Sequence, residues 1–171
     1  PATRAYRHAL CKGGGMDNSA ELPGDLFVCI DHVGLAVADL DSAIGFHTEV
    51  LGWRVLHRER NEDQGVEEAM LGTGRLAAES AQLQLLAPLR PDSAIAKFLD
   101  RSGPGLQQLA YRVTDIDRVS AFLRDRGVRL LYDEPRVGTA GSRINFVHPK
   151  DAGGVLLELV EPAQQNTAAS K

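Results

Sequence analysis

Four polar residues interrupt apolar segments of this chain at positions where their side chains could meet. They are His32 in IDHVGLAV, Gln84 in LQLL, Gln108 in LQQLAYRV and Glu158 in VLLELV. A carboxylate buried among leucines is costly unless it meets a metal, a cation or a proton. Because imidazole, amide and carboxylate groups can all hold a divalent ion, these residues are candidates for one shared ligand site.

An internal repeat relates the four residues. Residues 30–41 read IDHVGLAVADLD, and residues 106–117 read LQQLAYRVTDID. The repeat places His32 at the position of Gln108, and it places the other amide at the position of the carboxylate. A single His in an apolar strand is more often a hydrogen-bonded core residue than a ligand, and a single polar interruption can face solvent. Four interruptions at equivalent positions favour a shared site, which a pseudo-twofold axis would assemble.

Glu68 supplies a second carboxylate near this site. It alternates with Val66 and Met70, so we expect it to share their inward face and to oppose Glu158 across the interior. Glu67 instead fits a solvated strand edge. Two carboxylates on either side of a pocket suit proton-transfer chemistry, because one can remove a proton and the other can return it to the opposite face.

Two basic residues are candidates for anchoring an anionic group. Arg143 and Lys150 lie in GSRINFVHPK at residues 141–150. Guanidinium and ammonium groups bind carboxylate or phosphate. The alternative interpretation is that both are surface charges at strand ends.

The elements that must position these residues follow a β-α-β-β-β pattern that occurs twice, which predicts an α+β fold. We expect Asp39 or Asp41 to cap the first long helix and Gly52 to end it. The predicted strands are about 28–37, 53–59, 66–72, 81–87, 106–113, 128–132, 142–147 and 154–161, and the predicted helices begin after residue 39, at about 93–100 and at 116–126.

The domain organisation follows from the same pattern. We expect one domain over residues 27–163, flanked by tails without periodicity. Its parts are a module at 27–87, a linker at 88–105 and a module at 106–163, with a flexible N-terminal tail at 1–26 and a C-terminal tail at 164–171.

Composition excludes several classes of protein. The net charge of −4 argues against nucleic-acid binding, which favours a basic face. No apolar run approaches the roughly 18–20 residues of a membrane span. Cys11 and Cys29 form no CxxC motif, so we expect no thiolate zinc site, and two reduced thiols fit a cytoplasmic protein.

The chain resembles the vicinal oxygen chelate (glyoxalase/bleomycin resistance) superfamily, and within it the methylmalonyl-CoA epimerases. The segments that carry the resemblance span about residues 28–162. They are IDHVGLAV, NEDQGVEEAML, LQLLAPLRPDS, LLYDEPRVG, GSRINFVHPK and GVLLELVEP. The resemblance implies tandem βαβββ modules that form an open, cupped sheet around one site.

The resemblance also implies a mechanism and a ligand set. Members hold a divalent metal (Co, Mn, Zn or Ni) with His, Gln, His and Glu, which correspond here to His32, Gln84, position 108 and Glu158. The two proton-transfer carboxylates correspond to Glu68 and Glu158. The metal binds a malonyl-type acyl-CoA thioester and stabilises the enolate that forms when C2 loses its proton.

One position departs from the family pattern. Where members have a His-His pair, this chain has Gln107-Gln108. Exchanging an imidazole for a neutral amide weakens binding of Co, Ni or Zn, which favour nitrogen ligands. We therefore expect the site to bind its metal weakly, to prefer a harder ion or to bind none, and we expect Gln108→His to raise metal affinity.

Three functions remain open from the sequence. The first is an epimerase acting on a methylmalonyl-CoA-type thioester. The second is a divergent enzyme with a lost or weakened metal site, acting on a related acyl thioester as an isomerase, decarboxylase or cyclase. The third is a non-catalytic acyl-CoA or small-molecule binding protein. A homodimer is expected by analogy with the family.

Overall fold

The two halves of the repeat build one sheet in the computed structural model, which describes residues 25–73 and 80–163. Cys11, most of the predicted N-terminal tail and the whole predicted tail at 164–171 lie outside the described residues. The strands are β1 (Phe27–Ala36), β2 (Arg54–Asn61), β3 (Val66–Gly72), β4 (Gln82–Pro88), β5 (Gly105–Val113), β6 (Arg136–Val137), β7 (Arg143–Val147) and β8 (Leu156–Glu161). The helices are α1 (Leu40–Gly45), α2 (Ala94–Ser102) and α3 (Ile116–Asp125).

The strand order is β2-β3-β4-β1-β5-β8-β7-β6. The second half repeats the first in reverse, as the pseudo-twofold axis predicted from the repeat requires. The axis passes between β1 and β5, which pair antiparallel. Across it, His32 lies opposite Ala110 and Gly34 lies opposite Gln108. This reciprocal register is the one that two equivalent halves must have, and it confirms the α+β fold with tandem βαβββ modules.

Helices cover the outer face of each half through apolar side chains that alternate along the strands. Leu71 and Leu85 pack with Leu40 of α1. In the second half, Leu159 packs against Ile116 and Val119 of α3. Because side chains alternate across a strand, burying these residues on the outer face leaves their neighbours on the inner, concave face.

The helix ends follow the predicted signals. The backbone N–H of Ser42 donates to the Asp39 carboxylate at 2.6 Å, which caps α1. In the second half, Asp115 accepts from the backbone N–H of Arg118 at 2.9 Å and caps α3. After α1 the chain continues through a π-helical turn, Phe46–Val50, before the break that Gly52 was expected to make.

The predicted strand at 128–132 is wrong. Only Leu130 makes a bridge there, to Val147. At Tyr132 the side chain of Asn145 replaces the backbone of a neighbouring strand: its Oδ1 accepts from the Tyr132 N–H at 3.3 Å and its Nδ2 donates to the Tyr132 carbonyl at 3.0 Å. Leu131 and Arg129 make backbone hydrogen bonds to Phe146 and His148 beside β7, but side chains satisfy the backbone of Tyr132. The pairing therefore does not extend into a strand, and the short strand β6 follows instead.

Asn145→Ala is expected to destabilise the fold by about 1–3 kcal/mol, because Asn145 is fully buried and its loss removes two hydrogen bonds to the backbone of Tyr132. Thermal unfolding followed by circular dichroism measures the change. Asn61→Ala is the control, because it removes a single exposed turn hydrogen bond to Gln64. Equal stability of the two variants would show that Asn145 does not hold the loop.

Across residues 25–73 and 80–163, no helix is both long and apolar enough to cross a membrane. Cys29 is a free, exposed thiol.

Candidate active site

Five polar side chains meet on the concave face of the central strands. Each lies in a different strand, and each is at least 92 % buried. They are His32 on β1, Glu68 on β3, Gln84 on β4, Gln108 on β5 and Glu158 on β8. The structure therefore brings together the four repeat-related residues and the second carboxylate that the sequence singled out.

The amide nitrogen of Gln108 lies at the centre of this cluster. It donates to Oε2 of Glu158, and it lies 3.2 Å from Oε1 of Gln84 and 3.5 Å from Nε2 of His32. The His32 Nε2 is also 3.1 Å from Oε2 of Glu158. Gly34 makes this position available, because a Cβ at residue 34 would lie 2.6 Å from Cγ of Gln108.

Glu68 is held by two uncharged donors. The Gln84 amide donates to its Oε2 at 2.9 Å, and the Thr139 hydroxyl donates to its Oε1 at 2.5 Å. The same amide lies 3.2 Å from the Thr139 hydroxyl. Sequence reasoning missed Thr139, because it lies in a short turn, Thr139–Gly141, whose position over the sheet no strand periodicity reveals.

Asp31 and Arg112 hold the ring of His32 on the side away from Glu158, and the sequence did not indicate either residue. The Nδ1 of His32 lies 3.0 Å from Oδ1 of Asp31, and the Arg112 guanidinium donates to Oδ2 of Asp31 at 2.6 Å. A shift in the β1–β5 register between Ile30 and His32 brings Asp31 into this contact. Burial alone would lower the pKa of His32, but hydrogen bonds to Asp31 and Glu158 outweigh it and raise the pKa to about 9.

Burial raises the pKa of Glu68 to about 7, with further increases from the nearby carboxylates of Glu59 and Glu158 and a partial offset from the Thr139 hydrogen bond. A carboxyl group with a pKa near neutrality can both accept and donate a proton at physiological pH. This property distinguishes Glu68 from a surface glutamate such as Glu67, whose ion pairs with Arg58 and Arg60 help to lower its pKa.

The raised pKa of Glu68 predicts a pH-dependent stability. Between the ordinary carboxyl pKa of 4.5 and about 7, the folded state binds more protons than the unfolded state. The loss of the proton from Glu68 therefore lowers the free energy of unfolding as pH rises through this window. We expect Glu68→Gln to lose less thermal stability than the native chain between about pH 5 and pH 8.

Melting curves at both pH values test this expectation. Glu67→Gln is the matched control, because the neighbouring carboxylate faces arginines at the surface. A Glu68→Gln variant whose stability changes with pH as much as that of the native chain would show that Glu68 is charged throughout.

Two cavities meet at the cluster. The inner one has a volume of about 280 Å³, and its lining includes both glutamates, both amides of the cluster and Thr139, with apolar walls from residues such as Leu86, Ile95, Ile144 and Phe146. The second has a volume of about 500 Å³ and reaches His32, Glu158 and Thr139 from the other side. A small acyl group in the inner cavity would contact Glu68 and Glu158 at once.

The two predicted anchors lie away from the cluster. Arg143 pairs with Asp117 at 2.8 Å and with Glu161 at 3.3 Å. Lys150 lies in an exposed turn, Pro149–Asp151. Neither residue lines either cavity, so their placement matches the alternative interpretation as surface charges.

The residues of the cluster do not fit a divalent ion as they stand. Oε1 of Gln84, Oε2 of Glu158 and Nε2 of His32 converge, but the point where they converge holds the N–H₂ group of Gln108, which is a donor and cannot ligate a metal. Gln108 would have to rotate its amide to offer its oxygen. Among the described residues, no three His, Cys, Asp or Glu side chains group as a metal site.

Comparisons with known proteins place this site in a family. The family model of the Glyoxalase/Bleomycin resistance protein/Dioxygenase superfamily matches residues 31–146. The mitochondrial methylmalonyl-CoA epimerase of Homo sapiens is 34% identical over 76% of this chain and 72% of its own length.

Solved structures of methylmalonyl-CoA epimerases are also similar to this chain. Methylmalonyl-CoA epimerase from Mycobacterium tuberculosis superposes with a TM-score of 0.78 and 56% identity, covering 88% of this chain and 98% of that one. A variant of the Streptomyces coelicolor enzyme in complex with 2-nitronate-propionyl-CoA superposes with a TM-score of 0.75 and 47% identity, covering 81% and 99%. The chain therefore belongs to the glyoxalase/bleomycin resistance protein/dioxygenase superfamily, whose methylmalonyl-CoA epimerases it resembles.

Proposed function

We propose that this protein is a methylmalonyl-CoA epimerase, an isomerase that removes the C2 proton of a malonyl-type acyl-CoA thioester and returns a proton to the opposite face. The observation that carries the proposal is the placement of two buried glutamates, Glu68 and Glu158, on the wall of one cavity. The similarity to epimerases, including one in complex with an acyl-CoA analogue, supports it.

The two glutamates would divide the chemistry between them. For one epimer, Glu68 takes the C2 proton while protonated Glu158 delivers its own proton to the other face; for the other epimer the roles exchange. The pKa of Glu68, raised by burial to about 7, suits both roles because a general base works best near the pH at which it operates.

Hydrogen-bond donors of the cluster would stabilise the enolate between these two steps. The amides of Gln84 and Gln108 and the ring of His32 all face the same region as the carboxylates. Donors that are already oriented towards the developing charge lower the barrier, since no reorganisation is needed during the reaction. Thr139, which donates to Glu68, would position that carboxylate.

Metal binding is a separate proposal. We expect a divalent ion to bind weakly, because it must displace the Gln108 nitrogen and gains in return an amide oxygen in place of an imidazole.

A homodimer also remains a proposal by analogy, and light scattering after gel filtration would test it.

A cytoplasmic location remains a prediction of the sequence.

Conversion of one epimer into the other tests the function directly. The protein is incubated with a single C2 epimer of methylmalonyl-CoA, and the composition is followed by chiral chromatography after thioester hydrolysis. We expect the mixture to approach equal amounts of both epimers. A decarboxylated or cyclised product would indicate the divergent enzyme, and tight binding without turnover would indicate a binding protein.

A further inference from the structure

Arg136 lies at the mouth of the inner cavity and is the one lysine or arginine in the described lining of that cavity. It begins the short strand β6 and pairs directly with Ile144 on β7. Residues that lie directly opposite each other in an antiparallel pair share one face of the sheet. Because Ile144 is buried in the cavity wall, Arg136 projects from the concave face that carries the cluster.

An aromatic wall orients the guanidinium of Arg136. Its Cζ lies over the ring of Tyr132, 3.9 Å from the ring centre. The Tyr132 ring packs edge-on against Phe146 with 6.0 Å between the ring centroids, and both rings line the inner cavity. A guanidinium that stacks on a ring keeps its N–H groups available at its edge. The side chain is therefore held in place before any ligand binds.

The charge of Arg136 is not neutralised by a carboxylate among residues 25–73 and 80–163. Arg60, Arg112 and Arg143 each form an ion pair with an acidic side chain, whereas the contact of Arg136 is with the Tyr132 ring. The side chain is exposed and also borders a surface groove between residues 59–64 and 135–141. Its guanidinium can therefore meet an anion that enters the cavity from solvent.

The inner cavity requires such a cation if its ligand is an anion. Three acidic residues line it, Asp63, Glu68 and Glu158, and like charges at short distance repel. The ring of His32 is held between Asp31 and Glu158 and borders the second cavity instead. A ligand with a free carboxylate would therefore place that group towards the mouth, where Arg136 lies.

We propose that Arg136 binds the free carboxylate of the malonyl-type substrate and so selects thioesters of dicarboxylic acids over thioesters of monocarboxylic acids. The planar guanidinium matches a carboxylate through two parallel hydrogen bonds. Thr139, three residues later, donates to Glu68, so one short segment would position both the substrate carboxylate and a proton-transfer group. The inference rests on the proposed epimerase function and names the residue that recognises the substrate's charge.

The phosphates of CoA offer the same kind of anionic oxygen, but they lie at the far end of the pantetheine arm from C2. Malonyl-CoA and acetyl-CoA separate the two sources, because they differ by one carboxylate and share every phosphate. Calorimetric titration of the full chain gives a dissociation constant for each. We expect the native chain to bind malonyl-CoA about tenfold more tightly than acetyl-CoA, as a charged hydrogen-bonded pair would provide.

Two substitutions of Arg136 test the origin of this preference. Arg136→Met keeps a long apolar side chain against Tyr132 and should bind the two thioesters equally. Arg136→Lys should retain part of the preference, since an ammonium group keeps the charge but not the paired geometry. Arg60→Met is the matched control, because Arg60 borders the surface groove but does not line the inner cavity, and it should keep the native preference.

Epimerisation kinetics give an independent measurement. The carboxylate is charged in both the substrate and the transition state, so its contact contributes equally to both. Arg136→Met should therefore raise KM for methylmalonyl-CoA by about tenfold and change kcat much less. A fall in kcat at unchanged KM would contradict a role in substrate binding.

The binding results decide the proposal. Equal binding of the two thioesters by the native chain, or a native preference in Arg136→Met, would overturn it. Equal weakening of both thioesters in Arg136→Met would also overturn it and would place a CoA phosphate at Arg136. A native chain that prefers malonyl-CoA through Arg136 but does not interconvert the epimers would refute the proposed function and leave the recognition of the carboxylate intact.

Discussion

Glu68→Gln and Glu158→Gln are each expected to lower epimerisation by about 100- to 10,000-fold, the usual contribution of a positioned acid or base. Both side chains are buried on one cavity wall, and glutamine keeps their shape while removing their ability to accept a proton. Since inversion at C2 needs a base on one face and an acid on the other, losing either group slows epimerisation by the full contribution of that group.

The two variants should differ in hydrogen exchange. Glu68→Gln retains Glu158 and should still exchange the C2 proton of the epimer that Glu158 deprotonates; Glu158→Gln should do the reverse. Proton NMR in D₂O with each epimer measures this. Normal turnover by either variant would contradict the two-base assignment, and loss of both exchanges in both variants would show that the carboxylates do not act independently.

Gln108→His is expected to raise affinity for Co²⁺ by at least about tenfold, which is about 1.4 kcal/mol of binding free energy. The amide nitrogen of Gln108 lies where His32, Gln84 and Glu158 converge, so a neutral imidazole there would add a fourth nitrogen or oxygen ligand. Calorimetric titration gives the affinity, and the visible absorption of bound Co²⁺ reports its coordination.

Gln64→His is the control for this variant. Gln64 lines the same cavity on its polar rim, so the substitution adds an imidazole to the cavity but not to the cluster. If Gln108→His binds Co²⁺ no better than the native chain or the control, the side chain at position 108 does not face the metal position.

The sequence predicts the site residues that lie on regular strands. It does not predict the contacts made by turns and irregular strands. His32, Gln84, Gln108, Glu158 and Glu68 are found because strand alternation and the repeat fix the face on which each side chain lies. The same alternation explains why these residues meet in spite of their separation along the chain.

Contacts that depend on irregular backbone were missed. Thr139 reaches Glu68 from a turn, and Asp31 reaches His32 through a register shift in β1, which no periodic pattern encodes. The segment expected as a strand at 128–132 makes only an isolated bridge to β7, because the Asn145 side chain satisfies the Tyr132 backbone where the pairing would continue. Local apolar alternation cannot reveal a competing partner that lies elsewhere in the sequence.

Proton NMR of methylmalonyl-CoA in D₂O with the purified protein, with and without a chelator, tests the proposed epimerase function. The two glutamates can exchange the C2 proton, and the Gln108 amide nitrogen occupies the position of a metal. We therefore expect the C2 proton signal to be lost in both samples. Loss that the chelator stops would show that a metal acts in spite of Gln108. No loss in either sample, even after addition of Co²⁺ or Mn²⁺, would contradict the epimerase function.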